Sequence, residues 1–269
     1  MARHRLPGSY GMAERQDHGW SNSALVLCAH GIRGDPGSAL DHADAIARRA
    51  LFAEVHACAH KGRPGLIETL TRVKTPALFL LPLLMAEAYT LQAMLRKLEK
   101  FPAPRGGLRV CRPIGAHPRF ADLIARRGKI ACAQRGYPPA ASALVIAAHG
   151  TTRDAGSGTT ARAHAEAIRR SGGFAEVATA FLDEPPTLAQ TLSTLGSLQS
   201  VVVGMFVDHG EHGEEDIPEL LAPFEDRAVY AGPVGTDPAV IEFILDQVRA
   251  AETGRGDASP ASGPIACSA

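Results

Sequence analysis

Short runs of apolar, often β-branched residues alternate along this chain with longer stretches in which apolar positions recur every three or four residues. That alternation is the signature of successive βαβ units on a parallel sheet. In the C-terminal part it predicts strands over residues 143–148, 176–181, 200–207 and 228–231. A helix over about 159–170 runs into Gly172 and Gly173, the residue type expected just past a helix end. Another is expected to start at Asp237 as N-cap, with Pro238 in its first turn and IEFILDQVRAAE as its apolar stripe. The N-terminal part shows the same order of elements.

The chain repeats itself. ALVLCAHG at 24–31 returns as ALVIAAHG at 143–150, and HADAIARRALFAEV from His42 returns as HAEAIRRSGGFAEV from His164. PIGAHP at 113–118 is echoed by PVGTDP at 233–238. A duplicated α/β unit explains all three echoes. The expected layout is one domain over 23–131, an Ala/Gly/Pro-rich linker over 132–141 and a second domain over 142–251. The head, 1–22, and the Gly/Ala/Ser/Pro tail, 252–269, are expected to be disordered.

Composition narrows the class. With 269 residues and 45% apolar side chains, two small cores can be filled. Basic and acidic side chains balance at 28 each, which speaks against a nucleic-acid footprint or a basic membrane-binding face. The longest apolar run, 77–86, is too short to span a bilayer and the N-terminus lacks a signal-peptide core, so a cytoplasmic protein is expected. The five cysteines, Cys28, Cys58, Cys111, Cys132 and Cys267, are scattered and read as reduced thiols.

The chemistry concentrates at strand ends. In a parallel sheet all strands finish on one edge, and ligands bind beyond it. The first strand of the second copy is followed by His149-Gly150, and the third by Asp208-His209-Gly210-Glu211-His212-Gly213-Glu214-Glu215-Asp216. Neighbouring strands lie about 4.8 Å apart, so imidazoles leaving two strand ends can reach one divalent ion.

HGTTRD at 149–154, the Pro-rich turn at 183–186 and G-x-H-x-x-x-D-I-P at 210–218 resemble the sirohydrochlorin chelatases of the CbiX and SirB type, the class II tetrapyrrole chelatases, in a two-repeat form. The resemblance implies two tandem chelatase-like, flavodoxin-like domains with the active-site cleft between them. It implies insertion of a divalent metal (Co²⁺ favoured, Fe²⁺ or Ni²⁺ as alternatives) into sirohydrochlorin, in cobalamin or siroheme biosynthesis, with no organic cofactor. His149 and His212 match the family's histidines and are assigned as metal ligands and bases. Neutral imidazoles suit both tasks, because metallation strips water from the ion and two protons from the macrocycle. His209 is extra to the motif, either a third ligand or a solvated loop residue. Arg153, Gly150 and Gly210 are assigned to substrate binding, Arg153 and its counterpart Arg33 as carboxylate partners. Glu211, Glu214 and Glu215 are candidates for metal feed or proton relay, with a solvated first helical turn as the bland alternative. Asp216 is expected to cap the helix that follows.

The first copy keeps His30-Gly31 but carries Tyr89 where the second histidine belongs, so His30 reads as a structural remnant and the N-terminal half as one wall of the cleft. His42 and His164, matched within helices, read as packing or surface residues. Monomer and homodimer are both open. A non-catalytic carrier of metal or tetrapyrrole is the competing function. A histidine phosphatase is discounted because Ala29 and Ala148 stand where that chemistry needs arginine.

Overall fold

A computed structural model describes residues 19–150, 156–210 and 212–254. In the first half β1 (Ser23–Ala29), β2 (Glu54–Ala59), β3 (Ala77–Leu83) and β4 (Leu108–Val110) alternate with α1 (Ser38–Ala47), α2 (Leu66–Arg72), α3 (Tyr89–Leu98) and α4 (Phe120–Arg135). The second half repeats the order with β5 (Ala143–Ala148), β6 (Glu176–Phe181), β7 (Ser200–Gly204) and β8 (Ala228–Pro233), and α5 (Gly156–Ser171), α6 (Leu188–Thr194), α7 (Ile217–Leu221) and α8 (Val240–Thr253). Each half forms an all-parallel four-stranded sheet, ordered β2-β1-β3-β4 and β6-β5-β7-β8. The order changes direction between β1 and β3 and between β5 and β7, which opens a crevice beyond those carboxyl ends. Helices cover both faces of each sheet, so β1 and β5 are buried at every position instead of alternating.

The two halves exchange their last helices. α4 packs on α5, β7 and β8 of the second half, while α8 packs on α1, β3 and β4 of the first. One core therefore joins the inner faces, with Leu25, Leu27, Phe79 and Leu81 in the same cluster as Leu144, Ile146, Val201 and Val203. The outer faces keep private cores under α2 and α3 and under α6 and α7.

Two hydrogen bonds, related by the repeat, lock the exchange. His42 Nε2 lies 2.8 Å from the Gly235 carbonyl oxygen, just ahead of α8. His164 Nε2 lies 2.7 Å from the Gly115 carbonyl oxygen, just ahead of α4. Both histidines are buried, and burial lowers the His164 pKa. The glycines are those of the PIGAHP and PVGTDP echoes, and space explains them. A Cβ on Gly115 would fall 2.1 Å from the Met85 carbonyl oxygen, and one on Gly235 would fall 2.3 Å from that of Val207. Backbone cannot yield as a flexible side chain can. Gly115→Ala and Gly235→Ala are each expected to cost about 3 kcal/mol in denaturant unfolding, whereas Gly19→Ala, in open space, should move stability by less than about 0.5 kcal/mol.

Several local expectations shift. The regular final helix starts at Val240, three residues after Asp237, but Asp237 still makes the bond expected of a cap: its carboxylate accepts the Ala239 N–H at 2.9 Å, and it also pairs with Arg126 at 2.8 Å and Arg127 at 3.6 Å. The segment expected to begin a linker at 132 is still the last turn of α4, which ends at the left-handed Gly136. Trp20, placed by its neighbours in a disordered head, is fully buried and stacked on Phe52 at 4.9 Å. The rest of the head, 1–18, and the tail from 255, including Cys267, lie outside the described residues. Cys28, Cys58, Cys111 and Cys132 are free, buried thiols, as expected. Among the described residues no helix is long and apolar enough to cross a membrane.

Candidate metal site

His149 leaves the end of β5 into a turn that only glycine fits. Gly150 has φ 68°, and a Cβ there would lie 2.7 Å from Glu184 Cγ and 2.8 Å from Phe181 Cβ. The β6 end closes on the same turn: the Asp183 N–H donates to the His149 carbonyl at 3.0 Å, and the Asp183 carboxylate stands 3.2 Å from His149 Nδ1. Nδ1 is also 3.1 Å from the Gly150 carbonyl oxygen. Two acceptors at one ring nitrogen hold the proton on Nδ1 and make Nε2 the lone-pair nitrogen, the arrangement that orients metal-binding imidazoles. Sequence reasoning passed over Asp183, reading it only as the start of a Pro-rich turn; its position after the neighbouring strand was the available signal.

His149 borders a cavity of ≈ 150 Å³ shared by both halves. Ala148, His149 and Met205 form one side, and Leu84, Met85, Ala86, Ala88 and Thr90, from the loop after β3 and the start of α3, form the other. Apart from His149 the lining is almost wholly apolar.

The loop after β7 reaches across to the first half. The Asp208 carboxylate accepts the Ser38 N–H at the start of α1, and the Val207 carbonyl accepts the Ser38 hydroxyl at 3.2 Å. A five-residue π-helical turn, His212–Asp216, then leads into α7; single π-turns recur at functional sites. β5 and β7 are neighbours in the sheet, so His149 and the His212 turn leave adjacent strand ends. His209 stands in the same loop. It is exposed and borders a second cavity of ≈ 490 Å³ with Asp35, Asp41, His42 and Asp208. Glu215 pairs with Arg33 of the first half at 3.1 Å, both side chains exposed. Gly210 has φ 45° and faces Ile32 of the first half. Asp216 stands at the N-cap of α7 without a side-chain capping bond, because the chain arrives already coiled. Arg153 and Glu211 lie outside the described residues, as do the side chains of His212 and Glu214. Among the described residues no three His, Cys, Asp or Glu side chains gather into a metal cage.

Across the cleft His30 stands at the matching position after β1, exposed. Its pKa is lowered by burial first, then by Lys61 and by His149, so the two imidazoles feel each other across the cleft. His60, after β2, was absent from the sequence reasoning. It is 8% exposed, and burial together with Lys97, His30 and Lys61 depresses its pKa to about 4. Tyr89, at the position of the missing second histidine, is exposed at the start of α3.

Fold and site together describe a duplicated α/β protein of the tetrapyrrole chelatase architecture, with an oriented imidazole at a cleft between halves. The profile of the CbiX family matches residues 24–131 and 143–251, and the chain belongs to that family. It is 27% identical, over 87% of its own length and 94% of the relative's, to a protein of Halobacterium salinarum named a probable sirohydrochlorin cobaltochelatase. Among solved structures it is similar to a multi-domain Deinococcus radiodurans protein described as structurally similar to chelatases, with 26% identity and a TM-score of 0.69. That match covers 84% of this chain and 55% of the other, which carries two additional domains. It shares its fold with CbiX, described as the terminal enzyme of siroheme biosynthesis in denitrifying bacteria, at 22% identity and a TM-score of 0.68 over 84% of this chain and 98% of that one.

Proposed function

We propose that this protein inserts a divalent metal ion, Co²⁺ in the first place, into a sirohydrochlorin-type tetrapyrrole held in the cleft between its halves. The observation that carries the reading is His149, its Nδ1 held between Asp183 and the Gly150 carbonyl, on the border of a cavity that both halves line. His149 serves as ligand to the incoming ion and as base for the pyrrole protons, with His212 from the adjacent strand end as its partner. Gly150 and Gly210 let backbone approach the macrocycle, Arg153 meets its carboxylates, and Glu211 and Glu214 draw hydrated metal toward the site. Glu215, paired with Arg33, serves to tie the halves together.

Cobalt is preferred on the name of the halobacterial relative, and with it the cobalamin pathway. Imidazole ligands alone do not choose between Co²⁺, Fe²⁺ and Ni²⁺, because the affinity order belongs to the metals. The cavity of ≈ 150 Å³ beside His149 is the part of the cleft lined by described residues from both halves, Met85 and Ala88 on one side and Ala148 and Met205 on the other.

The test is anaerobic mixing of substoichiometric protein with sirohydrochlorin and Co²⁺, Fe²⁺ or Ni²⁺, read by the absorption change of metallation. Many turnovers above the uncatalysed rate are expected. Binding of metal or macrocycle without acceleration would replace the enzyme with a carrier. Asp183→Asn, which keeps size but loses the charge on Nδ1, is expected to lower the rate about 10- to 100-fold. Unchanged turnover in that variant would remove Asp183 from the site.

A further inference from the structure

The first half spells Cys-Ala-His twice, as Cys28-Ala29-His30 and Cys58-Ala59-His60. β1 and β2 bring the two copies into register, with Cys28 beside Cys58 and Ala29 beside Ala59. The ladder runs on past the strand ends: the His60 N–H donates to the Ala29 carbonyl at 2.8 Å, and the Lys61 N–H to that of His30 at 2.8 Å. Two imidazoles are thereby set side by side at the edge of the sheet, their ring centroids 6.4 Å apart. Gly31 permits this, since a Cβ there would meet the Lys61 carbonyl oxygen at 2.2 Å.

We propose that His30 and His60 form a second divalent-metal site, in the half that lacks the second family histidine. An imidazole bound at about 2.1 Å has its centroid about 3.2 Å from the ion, so two on one ion lie up to about 6.4 Å apart. The observed spacing sits at that outer limit, and rotation of the exposed His30 side chain shortens it. His60 supplies the independent sign of a ligand: it is 8% exposed, and its Nδ1 is buried with no hydrogen-bond partner among the described residues. A buried polar atom without a partner is costly unless something satisfies it. Lys97, whose ammonium donates to the His60 carbonyl at 2.9 Å, and Lys61 both face this pair and oppose a resident cation. With two protein ligands and two opposing lysines, the site holds its ion weakly and lets it go. His30 also lies within electrostatic reach of His149. Resting on the chelatase reading, the role of the pair is to hold the substrate ion before it crosses the cleft; the site itself stands without that reading.

Full-length His149→Ala/His212→Ala protein, titrated anaerobically with Co²⁺ alone, tests this by dialysis stoichiometry and visible ligand-field bands. One weakly held equivalent with nitrogen-ligand bands is expected to remain, and to weaken at least 10-fold on adding His60→Leu or His30→Asn. In wild-type protein, paramagnetic broadening of the His60 ring signals should accompany Co²⁺ addition, a check that no substitution can disturb. No Co²⁺ bound by the double variant, binding unaltered by His30→Asn, or unbroadened His60 signals would each overturn the site. Failure of catalysis with Co²⁺ still bound at His30 and His60 would instead reject the chelatase reading and leave this site standing.

Discussion

Replacing His149 with alanine should reduce catalysed metallation by about 10²- to 10⁴-fold, the range a positioned proton acceptor supplies, with a further loss from the missing metal bond. The argument is local. His149 Nδ1 has two acceptors within 3.2 Å, Asp183 and the Gly150 carbonyl, and commitment of one ring nitrogen to such partners orients the other toward a metal. The side chain is 47% exposed, so its removal opens no core cavity and stability should change by less than about 1 kcal/mol. Metallation kinetics and thermal unfolding measured on the same preparation separate the two effects. A variant that keeps its rate would mean that chemistry does not pass through this imidazole, whatever else the cleft binds.

The second large effect concerns the duplication. Cutting the chain after Gly136 should yield two pieces that do not fold as monomers. Each sheet would lose the helix that the other half lends it, α8 for the first and α4 for the second, and would expose inner-face residues such as Phe79, Leu81, Val201 and Val203 that are at most 1% exposed in the whole chain. Those contacts belong to the inner cluster that spans both halves. The buried bonds of His42 to Gly235 and of His164 to Gly115 would be broken as well, leaving imidazoles with no acceptor. Circular dichroism and denaturant titration of the separate pieces should show no cooperative transition, and mixing them in equal amounts should restore one. A single piece that unfolds cooperatively as a monomer would show that the exchange is not essential to either half.

Much of this protein is determined by local sequence. Alternating apolar runs and helical periods specified two parallel α/β units, because strands buried on both faces and helices buried on one leave different spacings of apolar residues. β5 and β6 match their expected spans, and His149 falls at a strand end where open sheets bind ligands. Only the tertiary structure decided how the units combine. Nothing in the spacing of α4 or α8 says which sheet each covers, since an apolar stripe fits either inner face equally well; the exchange emerges once His42, His164 and the glycines ahead of each helix are seen in contact. The same holds for side chains gathered from different strands. Asp183 beside His149, His209 in a separate cavity, and His60 beside His30 are settled by sheet order and register, which join residues far apart in sequence through pairings that a linear pattern does not carry.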